Sequence, residues 1–207
     1  MYDLALAVGS EGYVAGVDPS PNQIVAARKL CTDLKNVEFK EDSATALSFH
    51  DSMFDGVGST QVLEYVKDVD KSLKEIRRVL KKGGRFCTIS VLWDHWRFHG
   101  PEPDLNEEIH HVFRDHCFHQ MLPLDMPRKL LSNSFAGIQS SPIGFINQVL
   151  HNNSFALWSS KVISAFAINN GMPKDKVMTW QKQLKEADRE GRFGFVSMPV
   201  LTTAIAV

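Results

Sequence analysis

The first half of the chain alternates short apolar runs with stretches of helical period. Tyr2–Val8 has the spacing of the closing turns of an amphipathic helix, ended by Gly9 and turned by Gly12. Val14, Ala15 and Val17 then read as a buried strand over Tyr13–Val17 that delivers Asp18 to its carboxyl end. Ser20 as N-cap and Pro21 in the first position predict a helix behind it, with Ile24, Ala27 and Leu30 on the apolar face. Asn36–Lys40 alternates like a short edge strand, Glu41–Ala44 reads as a loop, and Phe54–Ser59 as a third strand. Val69, Leu73, Ile76 and Leu80 recur at helical spacing and predict a helix over Val66–Leu80, stopped by Gly83-Gly84. Phe86–Leu92, nearly all apolar, is a fourth strand. Strands and helices in this alternation imply an α/β fold whose sheet is mostly parallel with right-handed crossovers.

The pattern changes at Trp93. The run Trp93-Asp94-His95-Trp96-Arg97-Phe98-His99-Gly100-Pro101 mixes aromatics, histidines and turn residues, and predicts an insertion above the sheet with a helix near Leu105–Phe118. Pro127–Phe135 is a further helix, and Ile138–Ile146 a weak strand broken by Pro142 and Gly144. Two helices, near Ser154–Asn169 and Lys174–Glu190, lead to a last strand within Phe193–Val207.

Composition narrows the class. Hydrophobic residues are 43% and charged residues 23%, with a formal net charge of −1, so no extended nucleic-acid partner is expected. No run reaches the ~18 apolar residues of a membrane span, and the start lacks the basic region of a secretory signal. Cys31, Cys87 and Cys117 are scattered, without C-x-x-C spacing, which fits reduced thiols in a reducing, cytoplasmic setting. A chain of 207 residues is read as one domain with a sizeable core.

Asp18 is the residue around which the candidate chemistry gathers. Open α/β sheets bind ligands at the carboxyl ends of their strands. A carboxylate there suits the two hydroxyls of a ribose, although an ordinary turn acid would sit at the same place.

Three segments, in order and spacing, carry a resemblance to a known family. They are Gly16-Val17-Asp18-Pro19-Ser20 with Ala26-Ala27-Arg28 behind it; Glu41-Asp42-Ser43-Ala44 followed by Phe54-Asp55; and Val62-Leu63-Glu64-Tyr65 leading to Leu73-Lys74-Glu75-Ile76-Arg77-Arg78-Val79-Leu80-Lys81-Lys82-Gly83-Gly84-Arg85-Phe86. The chain resembles the class I S-adenosylmethionine-dependent methyltransferases, in the small-molecule branch similar to ubiquinone and menaquinone biosynthesis enzymes. The resemblance is firm over residues 2–92 and looser beyond. It implies a Rossmann-like sheet with a helical cap, divided into a cofactor half at 1–92, a cap and substrate insertion at 93–137, and C-terminal strands and helices at 138–207. It also implies S-adenosylmethionine as cofactor and a small organic molecule as methyl acceptor. Asp18 would accept from the ribose hydroxyls, with Pro19 and Gln23 beside it. Asp42 would take the adenine amino group, with Ser43 or Ala44 along the ring, and Thr60, Gln61 and Val62 would face the methionine end.

In that family a glycine-rich loop precedes the ribose acid by roughly 15–20 residues. Gly9, Gly12 and Gly16 lack its spacing, so the first strand and its loop are expected at or before Met1. Three accounts of this stay open: a fragment or mis-started product of an active enzyme, a truncated paralogue that binds a ligand or partner without catalysis, and a strand supplied from another chain. A nicotinamide-dependent oxidoreductase is the alternative enzyme class, disfavoured by Leu73–Phe86.

Six of the eight histidines fall between His95 and His119. His95 and His116 are the candidate general bases, since a neutral imidazole can take the proton of an acceptor. A solvated or substrate-lining lid is the plainer reading. A metal site is not expected, because no carboxylate–histidine signature accompanies the spacing. Trp93, Trp96 and His99 are the candidate substrate contacts. Asp55 reads as a turn residue, Glu64 as a helix-start carboxylate, and Arg77, Arg78, Lys81 and Lys82 as the exposed end of a helix.

Overall fold

The computed structural model describes residues 1–207. Helix α1 (Tyr2–Val8) leads into β1 (Val14–Asp18), α2 (Pro21–Leu30) and β2 (Val37–Glu41). Next come β3 (Phe54–Thr60), a 3-10 turn at Leu63–Tyr65, α3 (Val69–Val79) and β4 (Leu80–Val91). The remainder is β5 (Arg97–His99), α4 (Pro103–Phe113), α5 (Leu122–Ser132), β6 (Phe135–Pro142), β7 (Phe145–Asn147), α6 (Phe155–Asn169), α7 (Lys174–Arg189), β8 (Gly194–Ser197) and β9 (Pro199–Ala206).

The strands form three sheets rather than one. β1 and β2 pair in parallel by themselves, β3-β4-β9-β6 is a mixed sheet, and β5-β8-β7 is antiparallel. β1 and β3 each have one edge that pairs with no strand. The rings of Tyr13 and Phe54 stack 6.3 Å apart between the two sheets.

Two buried clusters account for most of the interior. One joins α3, β4, α5, β6 and β9 through Leu73, Ile76, Phe86, Met126, Leu130 and Phe135. The other joins α4, α6, α7 and the small antiparallel sheet around Trp96, Phe98, Ile163, Trp180 and Phe195. This division corrects the expected cap. Residues 122–137 lie on the mixed sheet, while 145–197 complete the unit above it. Local pattern could not show this, because both segments are amphipathic and only packing decides which layer they cover.

Several boundaries also differ. The helix expected from Val66 begins at Val69, capped by the Asp68 carboxylate on the Lys71 N–H, and a 3-10 turn precedes it. It ends at Val79, so Gly83-Gly84 do not stop it; Gly83 instead turns the following extended segment at φ +78. The helix expected from Pro127 begins at Leu122, with Pro127 inside it. Burial of Leu122, Met126 and Leu130 outweighs the hydrogen bond that proline removes. The expected last strand is two, β8 and β9, which join different sheets on either side of Met198.

Arg78, expected on a solvated helix face, instead organises the loop that carries the chain from β2 to β3. Its guanidinium bonds to the carboxylates of Glu75 and Asp51 and to the carbonyls of Phe49 and Leu47, at 2.7–2.9 Å. Glu75 in turn accepts from the Leu47 N–H. Replacing Arg78 by Met keeps the aliphatic stem and removes these bonds. The expected cost is about 2 kcal/mol of stability in urea denaturation, with faster amide exchange over residues 42–53.

His110 is buried, and its Nε2 accepts the Phe98 backbone N–H at 3.1 Å. Burial, aided by the nearby charges of Arg97 and His99, holds its pKa down to about 3. In the unfolded chain the imidazole titrates near 6.5. Between these values the unfolded state binds the extra proton, so stability falls as pH falls, by about 1.4 kcal/mol per pH unit. A His110→Gln variant should lack this contribution. From pH 7 to pH 5 the wild type is expected to lose about 2 kcal/mol more than the variant in paired denaturation curves.

Candidate functional site

The carboxyl ends of β1, β2 and β3 carry the expected cofactor residues. Asp18 closes β1, half-buried, and its Oδ1 accepts the Ser20 N–H at 2.8 Å in an Asx turn. Its Oδ2 has no protein partner among the hydrogen bonds of the chain. The Asp18 carbonyl accepts the Asp42 N–H at 3.2 Å, which ties the end of β1 to the loop after β2. Pro19 and Gln23 are exposed beside Asp18. The Asp42 carboxylate accepts from the Ser43 N–H at 2.9 Å and the Ser48 N–H at 2.6 Å. Burial acts against ionisation there, but these bonds outweigh it and lower the pKa. Both Asp42 oxygens therefore shape their own loop, which also contains Ser43 and the half-buried Ala44.

Thr60, Gln61 and Val62 are exposed at the end of β3. Gln61 adopts φ +51, unusual for a residue with a side chain, while its N–H donates to the Ile89 carbonyl at 2.8 Å. This left-handed turn points the chain away from the sheet and into the 3-10 turn.

Glu64 follows, fully buried. Its Oε1 accepts the Val91 N–H at 2.9 Å, and its backbone carbonyl accepts from the N–H groups of Phe118 and His119. Oε2 has no partner, and burial raises the pKa. Glu64 thus joins the ends of β3 and β4 to the segment that carries His116. Helix-start chemistry had not suggested this; the only sequence signal was its place in the Val62–Tyr65 motif.

His116 stands over this junction. Its Nδ1 lies 2.6 Å from the Phe113 carbonyl, an acceptor only, so Nδ1 carries the proton. Nε2 is the bare acceptor, buried and unpartnered. The ring stacks on Phe113 with centroids 4.1 Å apart and meets Trp93 edge-on at 4.4 Å and Tyr65 at 5.8 Å. The Trp93 Nε1–H is also buried without a partner. Burial lowers the His116 pKa against the opposing bond to Phe113, so the ring is neutral near pH 7. Burial raises Tyr65 to about 12 and Cys117 to about 11, and keeps both protonated.

The other candidates make no ring contact with His116, although Trp96 packs 5.2 Å from both Trp93 and Phe113. Trp96 is 3% exposed and packs in the aromatic core. His95 is exposed in the turn after β4, and His99 is exposed on β5, opposite Gly194. No three His, Cys, Asp or Glu side chains converge as a metal-holding group, and no helix is long and apolar enough to cross a membrane.

Residues 2–88 match the family described as a methyltransferase domain. Over 88 residues the chain is 32% identical to a ubiquinone/menaquinone biosynthesis C-methyltransferase of Zymomonas mobilis, a match to 42% of this chain and 36% of the relative. Over 92 residues it is 42% identical to a demethylmenaquinone methyltransferase of Lactococcus lactis, 44% of this chain and 36% of that one. The chain thus spans little more than a third of the length of these curated relatives. In three dimensions it superposes on the YcgJ protein of Bacillus subtilis with TM-score 0.65 at 20% identity, covering 99% of this chain and 87% of that one. A geranyl diphosphate methyltransferase in complex with S-adenosylmethionine superposes with TM-score 0.55 at 16% identity, covering 99% and 73%. Residues 2–88 match a methyltransferase-domain family, and the chain as a whole shares the Rossmann-like fold of the methyltransferase structure on which it superposes.

Proposed function

We propose that the chain binds S-adenosylmethionine across the carboxyl ends of β1–β3 and methylates a small organic acceptor held beside His116. The observation that carries this reading is that each of two residues keeps an unspent acceptor: Asp18 Oδ2 at the carboxyl end of β1, and His116 Nε2, which is buried without a partner. The residues fit the cofactor's ribose end, because the Asx turn fixes one oxygen of Asp18 and leaves the other to accept from hydroxyls. Pro19 and Gln23 would flank it, and Ser43 and Ala44 would border the base. Asp42 is assigned to shaping that loop, since both of its oxygens are engaged there. Thr60, Gln61 and Val62 would hold the methionine end. When bound, the cofactor supplies a methyl group already activated on sulfur, so the protein's work is chiefly approximation and proton handling.

His116 is the proposed base. The Phe113 carbonyl fixes its tautomer, and the lowered pKa keeps Nε2 free to take a proton from the acceptor. The Trp93 ring meets His116 edge-on, and its unpartnered Nε1–H would orient an acceptor oxygen. Trp93 and Tyr65 would border a flat acceptor. Among relatives, the names demethylmenaquinone methyltransferase and ubiquinone/menaquinone biosynthesis C-methyltransferase support a small molecule as substrate class.

Calorimetry with S-adenosylhomocysteine and with NAD tests the reading. Binding of the first at micromolar affinity and no heat from the second is the expected result. Preference for NAD, or no binding of either, would reject it.

A further inference from the structure

Glu64 fills a place in the mixed sheet that the backbone leaves open. In a parallel ladder, a residue that donates to one carbonyl accepts from the N–H two residues further along the partner strand. Gln61 donates its N–H to the Ile89 carbonyl. Its own carbonyl would therefore be the regular acceptor for the Val91 N–H. The φ of +51 at Gln61 turns the chain away from that position. The Glu64 carboxylate accepts the Val91 N–H instead, at 2.9 Å. An apolar side chain would fill the same space without the cost of a buried carboxyl. It would also leave the buried Val91 N–H unpaired.

The same turn is held on its other side. The Glu64 carbonyl accepts the N–H groups of Phe118 at 3.0 Å and His119 at 3.2 Å. The His119 Nε2 lies 3.0 Å from the Val66 carbonyl, an acceptor only, and so donates to it. The turn Leu63–Tyr65 is thus fastened to β4 by the Glu64 side chain and to residues 118–119 by backbone bonds. Tyr65, next in the turn, sets its ring 5.8 Å from His116. Thr60–Val62, just before the turn, is the stretch assigned to the methionine end of the cofactor.

We propose that Glu64 is a positioning residue: by replacing the strand acceptor that Gln61 withdraws, it fixes the turn whose Tyr65 ring and whose bonds to Phe118 and His119 seat His116. This rests on the reading of His116 as the base. Glu64 is 0% exposed, so its effect passes through the groups it holds. Releasing the turn would free Tyr65 from one side of the His116 ring and loosen the segment that follows His116.

Titration of the His116 ring by NMR, on the full chain without ligand, tests this. Glu64→Met keeps the length of the side chain and removes the acceptor. It is expected to raise the His116 pKa by about one pH unit, because hydration of a loosened ring relieves the burial that lowers it. Glu64→Gln keeps an oxygen for the Val91 N–H and should restore the wild-type value. Arg78→Met, which weakens a different connection, should leave His116 unchanged, so that loss of stability alone is separated from loss of position. Amide exchange of the wild type gives a readout that needs no variant to fold. The N–H groups of Val91, Phe118 and His119 all bond to Glu64 and should open with one free energy. An unmoved His116 pKa in folded Glu64→Met, an equal shift in Glu64→Gln, or exchange at 118–119 independent of Val91 would overturn the inference. Calorimetry with S-adenosylhomocysteine is a separate arm: absence of binding rejects the functional reading and leaves these titrations to decide the role of Glu64.

Discussion

The Asp18→Asn variant is expected to bind S-adenosylhomocysteine at least tenfold more weakly than the wild type, and Asp18→Ala about 100-fold more weakly. The two changes separate the roles of the side chain. Asn keeps an oxygen to accept the Ser20 N–H, now 2.8 Å from Oδ1, so the Asx turn and the fold survive. Its amide nitrogen replaces Oδ2 and cannot accept from a hydroxyl. Alanine removes both functions. Hydrogen bonds to an ionised carboxylate contribute about 1.5–3 kcal/mol each, and about 1.4 kcal/mol is a factor of ten in affinity. Titration calorimetry at pH 7 with a thermal melt of each variant gives both quantities. If Asp18→Asn bound within twofold of the wild type, Asp18 would be an ordinary turn acid and the ribose assignment would be wrong.

The second large effect concerns the unit above the mixed sheet. Trp180→Ala should cost about 4 kcal/mol in urea denaturation, in the range for removing a buried aromatic side chain. Trp180 is fully buried, its indole meets Phe98 edge-on at 5.2 Å, and its Nε1–H donates to Asn106 Oδ1 at 2.8 Å. The Asn106 amide in turn donates to the Phe98 carbonyl at 2.8 Å. One side chain therefore fastens α7 to α4 and β5. Trp180→Phe keeps much of the apolar volume but leaves the Asn106 oxygen without its donor, and about 2 kcal/mol is expected. An alanine variant within 1 kcal/mol of the wild type would show that the cluster does not stabilise this unit.

These two residues differ in how far the sequence revealed them. Asp18 stood out because a short apolar run ending in an acid, followed by a proline-started helix, has few structural meanings. Trp180 carries no such local signal, since its place in the helix does not show what it packs against. Its hydrogen bond to Asn106 joins positions 74 residues apart, and no local pattern records such a pair. Among the histidines the sequence put forward His95 and His116 together. Only the fold separated them, by leaving His95 exposed and setting His116 against Phe113, Trp93 and Tyr65.

The α/β class, the order of strands and helices through residue 92, and the placement of Asp18, Asp42 and Gln61 at strand ends were determined by the sequence itself. Each depends on periodicity and turn chemistry within a few residues. The tertiary structure alone decided that the strands divide into three sheets, that residues 122–137 join the mixed sheet, and that the final apolar segment splits between two sheets. It also decided that Glu64 is buried at the β3–β4 junction and that α6 leaves Phe155 and Trp158 exposed. These features depend on which surfaces meet. An amphipathic segment specifies that it will cover something, and the partner it covers is fixed only when the whole chain packs.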